Sequence, residues 1–347
     1  MTYLMTFVIA LIVAVFATPV SMKLGRRWGA IDYPGGRHVH KTPVPRIGGI
    51  AIYAAFWCAA LFLGNWDKGV WGLFLGSTII LIVGVIDDIY DIRPLVKLCW
   101  QILAAGLLLF FGFSMNQLTL PLIGSIDFTA MGIGWLGLVL AVFWVVGLVN
   151  TVNISDGLDG LAAGICFQAA LLLCWSAIRI NEVTEAHLTL ALAGAALGFL
   201  VFNFHPARVF MGDSGSMFLG YIIGGISIMG LLKTATVLGL VFPLLVLGMP
   251  LTDLTFAIIR RKLRGHSIAT ADRGHLHHRL LDAGLSQRQA VLLLYAMSGC
   301  FGVAAVLGAL GSWIWAAAIL LADFGLLIMI LLRRTTLLTA MSRRQSK

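Results

Sequence analysis

Residues 70–97 read VWGLFLGSTIILIVGVIDDIYDIRPLVK. From Val70 to Ile86 the chain carries no charge; then Asp87, Asp88 and Asp91 arrive in quick succession, and Lys97 follows. An uncharged run of this length suits a helix crossing a hydrocarbon layer about 30 Å thick, which takes about 20 apolar residues. The carboxylates mark where that helix leaves the layer.

Outward from this stretch the pattern repeats. Apolar runs bounded by charge, Pro or Gly predict spans near 3–22, 47–64, 70–86, 98–115, 132–152, 158–178, 187–204, 216–232, 236–259, 289–310 and 313–332. The composition agrees: the 347 residues are 60% hydrophobic and 11% charged, far from the balance of a soluble domain. The expected fold is an all-α polytopic integral membrane protein of about eleven transmembrane helices, forming a single domain over 1–347. The longest hydrophilic segment, 260–288, is too short to fold alone. The first twenty residues lack a basic leader and a small-residue cleavage site, so they read as a retained span.

A net charge of +9 would point to nucleic acid in a soluble protein, but here its position matters more. Threading the spans with the N-terminus outside puts 21 of the 24 Lys and Arg on one side, in loops 23–46, 87–97, 205–215 and 260–288 and in the tail 333–347. Only Lys68, Arg179 and Lys233 fall opposite. By the positive-inside rule the first side is cytoplasmic, as is the C-terminus, and no nucleic-acid partner is expected. The five cysteines all sit in apolar runs without a C-x-x-C pair and read as small core residues. Gly220 and Gly224 form a GxxxG, which permits close helix packing and a homodimer.

Nine of the fifteen acidic residues join the basic ones on the cytoplasmic side. Adjacent Asp87 and Asp88 repel unless a cation relieves them, and at a helix C-terminus they oppose the macrodipole, which makes them a poor cap. NTVNISDGLDGLAAG, 150–164, offers Asn153, Asp156 and Asp159; the two acids share a face if helical, and Gly157 and Gly160 admit a ligand close to the backbone. Capping is the plainer reading there. The Asn153-Ile154-Ser155 sequon is a coincidence at a helix end.

FNFHPARVFMGDSGSMFLGY, 202–221, puts Asp213 where a helix begins, offering a carboxylate to a metal and N–H groups to phosphate. Its GDSGS is no protease motif, since Ser214 starts a membrane helix. RRKLRGHSIATADRGHLHHRLLDAGLS, 260–286, clusters His266, His275, His277 and His278 among Arg and Lys. Without Cys or HExxH, it suits phosphate better than zinc. DYPGGRHVHKTPVPRIGG, 32–49, adds Lys41 and Arg46 in a basic, turn-rich loop.

Together these five motifs resemble the polyprenyl-phosphate N-acetylhexosamine-1-phosphate transferases, and among them the bacterial undecaprenyl-phosphate N-acetylglucosamine-1-phosphate transferases. That resemblance implies transfer of N-acetylhexosamine-1-phosphate, foremost GlcNAc-1-phosphate, from a UDP-sugar to undecaprenyl phosphate, releasing UMP. The setting would be the bacterial cytoplasmic membrane, at the first membrane step of an envelope glycan such as O-antigen or teichoic acid. It implies Mg²⁺, replaceable by Mn²⁺, at Asp213 with Asn153. Asp87 and Asp88 would lie beside the lipid phosphate; Asp156, Asp159 and Asn153 would serve the nucleotide. Lys97, His275, His277 and His278 would meet phosphate charge, with Lys41, Arg46 and Arg264 as further substrate contacts. Leu276 breaks the H-H-H run of the related muramoyl-pentapeptide transferases, favouring a simple UDP-sugar. The alternative is a secondary transporter of an anionic solute, with Asp253 and Asp323 as its intramembrane acids.

Overall fold

The computed structural model describes residues 3–33, 43–64, 66–120, 124–234, 262, 276–326 and 329. In chain order these form α1 (Tyr3–Trp28), β1 (Ile31–Asp32), β2 (Val44–Pro45), α2 (Gly49–Ala60), α3 (Lys68–Tyr90), α4 (Pro94–Phe110), β3 (Gln117–Leu120) and β4 (Gly124–Asp127). They continue with α5 (Gly134–Ser155), α6 (Leu161–Arg179), α7 (Val183–Asn203), α8 (Gly212–Thr234), α9 (Leu276–Asp282), α10 (Gln287–Ala309) and α11 (Trp313–Leu326). Ten of the eleven expected spans contain a helix, and 236–259 lies outside the described residues. Among the described residues six helices, α1, α3, α5, α6, α7 and α10, are long and apolar enough to cross a membrane.

Two expectations need correcting. The segment 47–64 forms a helix of only 12 residues, about 18 Å long, short of a full crossing. At its entry Gly48 N–H and Gly49 N–H donate to the carbonyls of Phe210 and Met211, each at 3.0 Å, and those bonds fix where helix can begin. The fold is also not purely helical, because two antiparallel strand pairs interrupt it. One pairs Ile31 with Pro45 and Asp32 with Val44; the other pairs Gln117 with Asp127 through Leu120 with Gly124. Asp127 pins the second, accepting from Gln117 Nε2 at 2.8 Å and from the N–H groups of Thr129 and Ala130 at 2.9 Å. The Ala130 N–H, first among these donors, holds its carboxyl below the usual range.

The bundle is organised around α8. Every residue from Ser214 to Met229 is buried, so this helix touches protein on all sides, whereas a helix at the lipid boundary buries one stripe. The stripe of α1 is Thr6, Ala10, Ala14, Thr18, Ser21 and Gly25, spaced nearly every fourth residue. It lies on α7 with the backbones almost touching: a Cβ at Gly194 would stand 2.3 Å from the Phe7 carbonyl oxygen, and one at Gly198 2.6 Å from that of Leu11. Small residues on both sides give the dispersion contact that holds helices together where lipid is as apolar as the side chains.

Around α8 the same device recurs. A Cβ at Gly84 of α3 would meet Cα of Ser214 at 2.4 Å, and one at Gly49 of α2 would meet the Gly215 nitrogen at 2.2 Å. A Cβ at Gly220 would lie 2.6 Å from Cα of Val149, so the GxxxG glycine that suggested a dimer is used inside the chain, against α5. At one end of the bundle, aromatic rings of Trp57, Trp66, Trp71 and Phe74 pack edge to face. At the other end lie the carboxylates.

Candidate active site

The helix α3 does not stop at Ile86. It runs on to Tyr90, so Asp87 and Asp88 stand in its last turn, and both are buried. Asp91 then turns the chain in the left-handed region at φ 52°, where an Asp is tolerated, and Pro94 opens α4 at its first turn. This short return brings Lys97 back over the end of α3. Its Nζ lies 3.0 Å from Asp87 Oδ2 and 2.8 Å from Asp213 Oδ2 at the start of α8.

Asp88 faces α8 directly. Its two oxygens accept from Asp213 N–H at 2.8 Å and Ser214 N–H at 3.1 Å, capping the otherwise unpaired amides at the positive end of that helix. Arg46 Nε stands 3.5 Å from Asp88 Oδ1. Gly212, at φ 67°, makes the approach possible, because a Cβ there would fall 2.4 Å from Asp88 Oδ2 and 2.1 Å from the Arg46 carbonyl oxygen. Oxygens of Asp87, Asp88 and Asp213 come within 4.8 Å of one another. Three hard oxygen donors converging from two helices fit a Mg²⁺ or Mn²⁺ ion, with water completing its shell.

Asp156 borders this cluster. It terminates α5, and its carboxylate takes no hydrogen bond or ion pair among the described residues. Burial first, then the negative charges of Asp213, Asp88 and Asp159, push its carboxyl up to about 8. A carboxylate in that state reports a pocket short of positive charge.

Asp159 is different, and here the expected shared helical face is corrected. Helix α5 ends at Ser155 and α6 begins at Leu161, with Gly160 at φ 82°, so the segment between them is turn and the two acids diverge. Asp159 Oδ2 accepts from Ala207 N–H at 3.0 Å and lies 2.7 Å from His205 Nδ1. Buried Asn203 closes the same junction, accepting from Gly160 N–H at 3.1 Å and donating to the Val209 carbonyl at 2.9 Å. From α10, Tyr295 O–H donates to the Gly160 carbonyl at 2.5 Å and Arg288 Nε to that of His205 at 3.0 Å.

Of the expected site residues, Asp87, Asp88, Asp213, Lys97 and Arg46 come into direct contact, and Asp156 faces them. Asn153 joins at Asp213, within hydrogen-bonding reach of its carboxylate, and donates to Ser216 Oγ at 2.9 Å. Asp159 serves the loop junction. Lys41, Arg264 and His275 lie outside the described residues; His277 and His278 belong to α9, and their side chains are not described. Asn203, Ser216 and Tyr295 escaped the sequence reading: each is an ordinary polar residue whose partner is 43 to 135 positions away.

The fold and the site are those of a multi-helix apolar bundle whose central helix starts in a nest of hard carboxylates able to hold a metal ion. The glycosyl transferase family 4 profile matches residues 70–231, the stretch that holds Asp87, Asp88, Lys97, Asn153, Asp156, Asp159 and Asp213. A probable undecaprenyl-phosphate N-acetylglucosaminyl 1-phosphate transferase of Bacillus subtilis is 36% identical over 301 residues, covering 86% of this chain and 83% of the relative. The decaprenyl-phosphate N-acetylglucosaminephosphotransferase of Mycobacterium tuberculosis H37Rv is 35% identical over 328 residues, 85% of this chain and 80% of its own length. A phospho-N-acetylmuramoyl-pentapeptide-transferase of Oceanobacillus iheyensis is 34% identical over 327 residues, 86% and 97% respectively. The chain belongs to glycosyl transferase family 4, as its motifs led us to expect, and is a multi-pass membrane phosphosugar transferase. The transporter alternative falls with that membership.

Proposed function

We propose that the protein transfers GlcNAc-1-phosphate from UDP-GlcNAc to undecaprenyl phosphate, releasing UMP, at the cytoplasmic face of a bacterial inner membrane. The observation that carries this reading is the convergence of Asp87, Asp88 and Asp213 at the start of α8, in a chain whose relatives are named for polyprenyl-phosphate N-acetylglucosamine phosphotransfer. The basic loops support a cytoplasmic site, an outside N-terminus and an inside C-terminus. The broken histidine run at Leu276 favours a simple amino-sugar nucleotide over a peptide-bearing one.

The reaction joins two anions. A phosphate oxygen of the lipid forms a bond to the β-phosphorus of the nucleotide sugar while the bond from that phosphorus to the UMP phosphate breaks, and the electron pair leaves with UMP. One phosphoanhydride replaces another, so alignment and charge neutralisation supply most of the catalysis. A divalent ion held by Asp87, Asp88 and Asp213 supplies that neutralisation when bound. Arg46 and Lys97 bring further positive charge to the site. The attacking phosphate monoester is already ionised at pH 7, so direct displacement needs no strong base; a covalent aspartyl intermediate is disfavoured. An interfacial site also lets the polyprenyl tail stay in hydrocarbon while its phosphate meets a soluble nucleotide.

Membranes holding the chain, mixed with tritiated UDP-GlcNAc, undecaprenyl phosphate and Mg²⁺, should move label into the organic phase. Label remaining aqueous with UDP-GlcNAc and every other UDP-acetamido sugar would overturn the proposal.

A further inference from the structure

The carboxylates of the site are not equally provided for. Asp88 has two backbone N–H donors and the Arg46 guanidinium nearby. Asp87 has one N–H, from Ile92 at 3.0 Å, and Lys97. Asp213 shares the same lysine, with Asn153 also within hydrogen-bonding reach. A single ammonium therefore spans two carboxylates from different helices, at 3.0 and 2.8 Å. An ion bridging those two Oδ2 atoms would need to stand about 2.1 Å from each, in the space the lysine nitrogen now fills. The two cations cannot share it: sites so close interact strongly even at an intermediate dielectric. Lys97 also keeps an opening to solvent. Its side chain is 21% exposed, and a four-carbon stem with three donors re-aims more readily than a planar guanidinium.

Resting on the metal reading above, we infer that Lys97 is a tethered counter-ion: it holds Asp87 and Asp213 together until a divalent ion displaces it, and displacement swings its charge toward the incoming phosphates. Ion and lysine compete for the same two oxygens. The competition weakens metal binding in the absence of substrate and couples loading of the ion to exposure of a phosphate-binding ammonium. Lys97 is in this sense a positioning residue, acting first through the two carboxylates and only then on substrate.

The test is metal binding by the purified full chain in detergent, without substrate. Free Mn²⁺ is followed by electron paramagnetic resonance, and Tm is read with chelator and with Mg²⁺. Lys97→Met, which keeps length but not charge, should bind Mn²⁺ about ten-fold tighter than the wild type, melt lower in chelator, and gain more on adding Mg²⁺. Lys97→Arg keeps the competing charge and should show no such tightening; it also serves if the methionine variant fails to fold. Equal or weaker Mn²⁺ binding in Lys97→Met, or tightening in Lys97→Arg, overturns the counter-ion role while leaving the metal site standing. No saturable binding in wild type or variants would overturn both.

Discussion

Asp87 with Asp88 and Asp156 with Asp159 look alike in sequence: two closely spaced carboxylates where an apolar run ends. In three dimensions they differ in backbone and in partners. The first pair rides a helix that continues through it, and both side chains are buried against α8 with Lys97 and two amides around them. The second pair sits on a turn. One of its members is tied to His205 and Ala207, and the other faces the cluster with no hydrogen-bond or ion-pair partner among the described residues. The first region is built to concentrate charge, the second to hold two loops in place and lend one acid to the site.

The sharpest way to break this contrast is Asp213→Asn, which removes a donor from the charge-dense region while keeping its shape. Turnover should drop about a thousand-fold with Tm little changed. Near-normal activity would take Asp213 out of the reaction.

Next comes packing. Gly84→Ala drives a methyl into the backbone of Ser214 and should cost about 1–3 kcal/mol and displace Asp87 and Asp88. Gly106→Ala in α4 meets nothing within 4 Å and should be neutral or stabilising by about 0.5–1 kcal/mol. Comparing their melting temperatures in detergent tests whether close approach at α8 is what fixes the pair.

For the second region, His205→Ala and Asp159→Ala should each lower activity about ten-fold, and the double variant hardly further, giving a coupling of about 1–2 kcal/mol. Additive losses would mean that Asp159 acts on substrate by itself.

The last test is a pH slope. Because the folded carboxyl of Asp156 is raised to about 8, the native state holds a proton that the unfolded chain releases near its ordinary 3.8. Its contribution to stability is greatest below that value and is lost as pH rises toward 8. In chelator, Tm should fall between pH 6 and 8, and Asp156→Asn should flatten that fall.

Much of this was legible in advance because hydropathy and charge are local signals. The run from Val70 to Ile86 announces its helix, and the carboxylates after it announce an end. The shared end of the bundle for Asp87, Asp156 and Asp213 followed from alternating the spans. What escaped depends on distant partners or on backbone conformation. The divergence of Asp156 and Asp159 turns on α5 ending at Ser155, with Asp156 at ψ 52° outside the helical range. The start of α2 at Gly49 turns on amides bonded to Phe210 and Met211, some 160 residues later. Asn203 looks like any helix-end asparagine until Gly160 is brought beside it.

The seam between α1 and α7 has a consequence for how the chain is made. Thr6 and His187, joined at 2.7 Å, are 181 residues apart, so at roughly 5–20 residues per second the first helix waits about 10–40 s in the bilayer for its mate. The wait is tolerable because two of its buried hydroxyls already bond within their own helix, Thr18 to the Ala14 carbonyl and Ser21 to that of Thr18. A helix that satisfies itself in lipid can be inserted early and claimed late, leaving Thr6 as the contact that marks the arrival of the right partner.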